Sequence, residues 1–293
     1  MYEAFYGLSE KPFSILPDPD FLYWANAHSM AFTMLEYGIL NQAGFTVITG
    51  EIGAGKTTLI RYLLNRLPND VTVGLVSNTT SEKGDLLRWI MMSLGMEFEK
   101  ESYVALYKRY QDFLIEQYSR NKRTLLIIDE AQNLDIKTLE ELRMMSNINA
   151  DKHGLLQIIL VGQPELKAML GRPELVQFAQ RVSSDFHLGL LNKEEVSGYI
   201  DHRLFVVGAK RLLFSDEACE LIHAVTKGTP RLINVLCDTA LMYGFAMEAK
   251  LITTQIINSV LQDKQKYGVF PPATPETPPT ITNIEKLRAV KES

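Results

Sequence analysis

Apolar positions along the chain fall into two kinds of run. Short, almost continuous apolar segments occur at Phe45 to Thr49, Val71 to Ser77, Leu125 to Ile128 and Leu155 to Val161, with a last one at about Asp185 to Leu188. Continuous rather than alternating runs suit strands covered on both faces, as in a parallel sheet. Between them, apolar residues recur at helical spacing over His28 to Asn41, Thr57 to Leu67, Gly84 to Leu94 and Tyr103 to Tyr118. The pattern predicts an α/β fold with a parallel five-stranded sheet flanked by helices.

From Asn192 onward the strand-like runs stop and helical patterns remain at Lys193 to Val207, Ser215 to Thr226, Pro230 to Met247 and about Thr254 to Lys266. Asn192 with Glu195 reads as a capping box, and Ser215 before Asp216 and Glu217 as a helix start. A small all-α domain is therefore expected after the sheet. At the other end, Phe5 to Tyr23 interleaves aromatics with Pro12, Pro17 and Pro19, which disfavours a regular helix and predicts an extended arm. The expected division is 1–43 for an arm and first helix packed on the core, 44–190 for the α/β core, 191–267 for the helical lid and 268–293 for a flexible Pro-rich tail.

Composition narrows the class of partner. The 293 residues are 46% hydrophobic and 22% charged, ordinary for a globular protein. A net charge of −5 gives no general pull toward DNA or anionic lipid, so nucleic acid is not the expected partner; local basic clusters remain at Lys210-Arg211 and at Arg120 to Arg123. Cys219 and Cys237 lie in helical apolar patterns and read as buried thiols in a reducing cytoplasm. Neither a basic leader with an apolar stretch nor an uncharged apolar run of about 18 residues is found. The expected location is cytoplasmic, with any attachment to the inner membrane made through a partner.

The chemistry enters after the first strand. Gly50-Glu51-Ile52-Gly53-Ala54-Gly55-Lys56-Thr57 matches G-x-x-x-x-G-K-[ST], with Thr58 following. Glycines let backbone N–H groups turn inward around phosphate oxygens, Lys56 neutralises the β and γ phosphates, and the Thr57 hydroxyl suits Mg²⁺. Ordinary residue frequencies produce this pattern in roughly one chain in a hundred, so its context decides. Here it follows an apolar strand and opens an amphipathic helix that aims its positive end at the same anion.

A second strand should bring a carboxylate to the metal. Leu125 to Ile128 ends in Asp129 and Glu130. Asp129 is the candidate metal residue with Thr57, and Glu130 the candidate base that polarises the attacking water. An isolated acidic pair would be read as solvated residues at a strand end. The phosphate loop before it reverses that reading.

Several motifs in order then resemble a family. They are Tyr6-Gly7-Leu8 with Lys11-Pro12-Phe13, Pro17-Asp18-Pro19 with Phe21-Leu22-Tyr23, Thr49-Gly50-Glu51, Asp129-Glu130-Ala131-Gln132, Gly162-Gln163-Pro164-Glu165-Leu166 and Gly228-Thr229-Pro230-Arg231. Together they resemble the P-loop AAA+ ATPases, and within them the secretion ATPases of the ExeA/GspA type, which serve bacterial general secretion and related polysaccharide-export systems. The resemblance spans about Met1 to Gln265. It implies Mg²⁺-dependent ATP hydrolysis by a homo-oligomeric ring, of which a hexamer is one size, working with an inner-membrane partner to drive assembly or operation of a secretion apparatus. It implies a sensor role for Gln163, a second sensor in Arg231 and an arginine finger in Arg181, with Arg172 as the alternative finger. His28 and His187 read as packed or surface residues.

Two other functions fit parts of the pattern. One is an ATP-dependent DNA-binding regulator, since transposition target-selection ATPases resemble this layout. The other is a scaffold that binds ATP and hardly hydrolyses it.

Overall fold

The computed structural model describes residues 1–77, 86–97, 102–150 and 153–267. The expected Pro-rich tail and the expected helix start at Gly84 lie outside the described residues. A short helix α1 (Tyr2–Tyr6) is followed by α2 (Asn26–Leu40), β1 (Phe45–Gly50), α3 (Lys56–Leu64), β2 (Val71–Val76), α4 (Leu86–Ser93), α5 (Tyr103–Ser119) and β3 (Arg123–Ile128). Then come α6 (Ile136–Met145), a small hairpin of β4 (Asn149–Ala150) and β5 (His153–Gly154), β6 (Leu156–Gly162), α7 (Pro164–Leu170), α8 (Val176–Ala179) and β7 (Val182–Leu188). Four helices close the described chain: α9 (Lys193–Val206), α10 (Asp216–Thr226), α11 (Pro230–Ala246) and α12 (Thr254–Tyr267).

The five strands read from apolar runs form one sheet in the order β2-β3-β6-β1-β7, every neighbouring pair parallel. Register aligns their carboxyl ends: Thr49 lies opposite Gly162, Gly50 opposite Leu188, and Ile128 opposite both Val76 and Leu160. Whatever follows β1, β3 and β6 therefore emerges along one edge, where open α/β sheets take their ligands. β1 and β6 are buried along their whole length. Edge strand β7 alternates instead, with Ser183, Asp185 and His187 outward, which is why only its apolar end stands out in the sequence.

The sheet's two faces carry separate apolar clusters. Leu126, Ile128, Ile158 and Leu160 face α4 to α8; Leu125, Ile127, Ile159 and Val161 face α2 and α3. A third cluster belongs to the lid, and it takes in most of the arm's apolar residues. Tyr2, Tyr6, Leu8, Phe13, Phe21 and Ala25 are buried among α9 to α12, while Leu22 packs on the α/β core with α2 and α3, and Arg61 of α3 donates to the Pro17 carbonyl at 2.8 Å. Aromatic side chains bring the most apolar area per residue, and four helices without a sheet have a face left to cover. Tyr2 further donates from its hydroxyl to Asp238 of α11. The arm also opens with a helical turn, because its prolines begin only at Pro12, and Gly7 ends that turn in a left-handed conformation with φ 75°.

Helices α6 to α8 and the small hairpin have no counterpart in the sequence reading. Helix α6 carried a legible signal: Asp135 caps it by accepting from Thr138 N–H at 2.7 Å, and Leu139, Leu142 and Met145 recur at three-residue spacing and are buried.

Candidate functional site

The loop after β1 turns twice through left-handed backbone, at Gly53 with φ 79° and Gly55 with φ 101°. These values favour glycine. The loop closes on itself where Ala54 N–H donates to the Glu51 carbonyl at 3.1 Å. Lys56 opens α3 but reaches back, donating from Nζ to the carbonyls of Gly50 at 2.7 Å and Glu51 at 3.0 Å. Its side chain is buried, and that desolvation lowers its pKa, against which Glu130 and Asp129 act in the opposite direction. A buried ammonium whose hydrogen-bond partners are two carbonyls is ready to exchange them for phosphate oxygens.

Beside it, Thr57 Oγ1 donates to Asp129 Oδ2 at 3.2 Å. Burial raises the Asp129 pKa, and the Glu130 N–H, 2.9 Å from Oδ1, pulls it back. This pair is all oxygen and fits a hard divalent cation that keeps most of its own water. Glu130 itself adopts left-handed backbone with φ 55°, a strained conformation for a non-glycine residue and one concentrated at functional sites. Its Oε2 accepts from Gln132 Nε2 at 2.6 Å and from Gln163 Nε2 at 3.2 Å. Gln132 Oε1 in turn accepts from Gln163 N–H at 3.0 Å. Two amides thus aim one carboxylate.

The lid sits directly on the loop. Arg231 N–H, at the start of α11, donates to the Gly53 carbonyl at 3.2 Å, and a Cβ on Gly53 would lie 2.6 Å from Arg231 Cβ. Between loop, arm and lid lies a cavity of about 240 Å³, lined by Ile52, Gly53, Gly55, Lys56, Thr57 and Thr58 of the loop and its helix, by Glu130 and Gln163, and by Ser14 to Asp18 of the arm. Tyr199, Arg203, Arg231 and Asn234 close it from the lid.

The AAA domain family matches residues 39–170. Over 247 residues, 84% of this chain, the sequence is 40% identical to general secretion pathway protein A of Aeromonas hydrophila, of which it covers 45%. The chain carries an AAA domain of the general secretion pathway protein A type. It spans less than half the length of that relative. Among solved structures, the Aeropyrum pernix ORC2 protein in its ADPNP-ADP complexes superposes with a TM-score of 0.60 at 19% identity, over 80% of this chain and 66% of that one. Cdc6p from Pyrobaculum aerophilum gives 0.60 at 15% identity over 89% and 70%. The Aeropyrum pernix ORC1 protein in complex with DNA gives 0.62 at 15% over 87% and 70%. These three share the fold: a P-loop NTPase sheet followed by helices.

Nucleotide binding and hydrolysis are the chemistry of AAA domains. Of the residues singled out in the sequence, the structure gathers Gly50 to Thr58, Asp129, Glu130, Gln163 and Arg231 at one edge of the sheet. Arg181 is elsewhere: it precedes β7, whose first residue pairs with Phe45 at the opposite end of β1, and it donates to Ser146 Oγ at 3.2 Å. Arg172 is exposed after α7. His187 is exposed at the edge strand, its Nδ1 3.1 Å from Thr49 Oγ1. Cys219 and Cys237 are buried free thiols, their pKa values raised by burial, Cys219 to about 11.

Three contributors carried no role in the sequence reading. Gln132 stands in the quoted acidic motif, two residues past Glu130, and that proximity was its signal. Arg203 and Tyr199 carried none, because only the packed arm brings them to the cavity.

Proposed function

We propose that this AAA domain binds ATP with Mg²⁺ and hydrolyses it within a homo-oligomer that drives a bacterial secretion or export apparatus. The observation that carries the reading is the Glu130 carboxylate, held by two amides beside a buried lysine and a Thr–Asp pair. Lys56 would trade its two carbonyl partners for β and γ phosphate oxygens. Thr57 and Asp129 would hold Mg²⁺, which supplies neutralisation of the phosphate charge. Glu130 takes a proton from water as the water oxygen bonds to the γ-phosphorus and the bond from that phosphorus to the ADP oxygen breaks. Gln163, hydrogen-bonded to that base, is the sensor of the γ-phosphate, and Arg231 the second sensor carried by the lid.

Arg181 lies at the opposite end of β1 from the loop, so its role is in trans: a finger on the nucleotide of a second copy, with Arg172 as the alternative. The ring, hexameric or otherwise, follows from that role, and residues 191–267 are the lid that moves with each cycle. Among the described residues no helix is long and apolar enough to cross a membrane; an inner-membrane partner would hold the domain at that surface, on its cytoplasmic side. The DNA-regulator alternative gains nothing from the ORC1–DNA likeness, which at 15% identity speaks for the fold alone.

Steady-state phosphate release, measured above the concentration at which oligomers form, tests the reading. Glu130→Gln is expected to lower turnover by about 10²- to 10⁴-fold while retaining ATP. Turnover at the wild-type rate would remove Glu130 as the base. What co-purifies with the ATP-locked variant identifies the partner, and failure to retain DNA even at low salt disposes of the regulator.

A further inference from the structure

His28 of α2 is buried, 5% exposed, and its ring makes one hydrogen bond among the described residues: Nε2 to the carbonyl of Ala54, 3.1 Å away. A carbonyl only accepts, so the proton sits on Nε2 and Nδ1 is left a bare acceptor. No described group reaches Nδ1. The ring also lies against the loop's last glycine, since a Cβ on Gly55 would stand 3.0 Å from Nε2. Burial holds this histidine's pKa below its ordinary value, so the ring is neutral at pH 7.

We propose that His28 is a positioning residue for the phosphate loop, fixing the Ala54–Gly55 peptide so that its N–H faces the phosphates. The peptide is planar and trans, so its C=O and N–H point in opposite directions. Holding the Ala54 oxygen outward on His28 therefore turns the Gly55 N–H inward. Among the described residues, no backbone carbonyl accepts from that N–H. The neighbouring outward carbonyl, Gly53, is held in the same way by Arg231 N–H at 3.2 Å. One clamp comes from the lid and one from α2.

Helix α2 is a firm mount for the ring. Ala31, Leu35 and Ile39 bury it against the sheet. Its first residue, Asn26, donates from N–H to Glu195 Oε1 at 3.2 Å, and Glu195 also completes the capping box of α9. The loop is thus braced by an element that lies outside its own strand and helix.

The inference rests on the nucleotide-binding reading above, and calorimetric titration of the full chain with ADP separates the two. His28→Leu keeps the volume and removes the donor, His28→Gln carries an N–H to about the Nε2 position, and His28→Asn is too short to do so. Leu and Asn are expected to weaken ADP about tenfold and Gln less than about threefold, as the loss of one preorganising hydrogen bond implies. Melting midpoints without nucleotide should agree between the Leu and Gln variants within about 2 °C. Wild-type affinity in Leu and Asn, or a Gln variant as weak as Leu, overturns the role of His28 if Lys56→Ala has lost ADP. Wild-type affinity in Lys56→Ala overturns the site itself, and this inference with it.

Discussion

At the floor of the cavity, Thr57, which lines it at the start of α3, meets Asp129, just past the end of β3, across 72 positions of sequence. On its wall, Arg203 reaches Pro12 across 191 positions and Asn234 reaches Ser14 across 220, tied by side chains to an arm with little regular structure. The floor inherits its geometry from a parallel ladder in register. The wall depends on a few polar ties and a set of aromatic contacts, each tie contributing about 1 kcal/mol. Of the two, the floor is fixed by the sheet, and the wall only by these side-chain ties and packing contacts.

The start of the lid, where Leu191 meets the turn before α11, is the place to break this contrast hardest. Gly228 has φ 74°, and a Cβ there would fall 1.8 Å from the Leu191 carbonyl oxygen, while Leu191 N–H donates to the Gly228 carbonyl at 3.0 Å. Gly228→Ala is expected to destabilise the chain by roughly 3 kcal/mol or more in urea unfolding, since neither backbone can give way. Gly7 supplies the control, with φ 75° and open space around it. Gly7→Ala should cost only the left-handed backbone, about 1 kcal/mol. Equal losses at the two sites would mean that the lid does not depend on this close backbone contact.

The same contrast explains what could be read in the chain beforehand. Apolar runs mark β1, β3 and β6 because a strand covered on both faces needs no polar position. Gly50 to Thr57, Asp129 and Glu130 are legible because their chemistry is local to a strand end. The arm's partner was not legible: proline and aromatic content gave its extended run, but nothing in Phe13 or Phe21 says which cluster they fill. Helices α7 and α8 are one or two turns long, too short for a helical period to show, and Gln132 became significant only once β6 brought Gln163 beside it.

Arg203 tests the wall directly. It is 6% exposed, its guanidinium lies 4.6 Å from the Phe21 ring centroid, and it donates to the carbonyls of Pro12 and Ser14 and to the Tyr199 hydroxyl. Tyr199 passes the network on to Asn234 at 2.8 Å. Arg203→Met fills similar space and leaves the Pro12 carbonyl wanting, while Ser14 keeps Asn234 Nδ2, so a loss of about 2 kcal/mol is expected in urea unfolding. Arg203→Lys should recover less than half, because a point charge cannot span the fork. An unchanged midpoint in the Met variant would show that Phe13, Phe21 and their neighbours hold the arm by packing alone.

Gln132 tests the floor at its finest scale. It touches no strand ladder, yet it joins the ends of β3 and β6 through Glu130 Oε2 and Gln163 N–H. Removing it by Gln132→Leu touches neither the sheet ladder nor the Thr–Asp pair and leaves the Glu130 carboxylate held by Gln163 alone. Turnover should fall about tenfold with ADP affinity unchanged, the pattern of an interaction spent on the transition state. If affinity fell together with turnover, the amide would be supporting the loop's shape instead of the base. If neither moved, the left-handed backbone at Glu130 would be enough to aim the carboxylate, and the floor would owe its precision to the main chain.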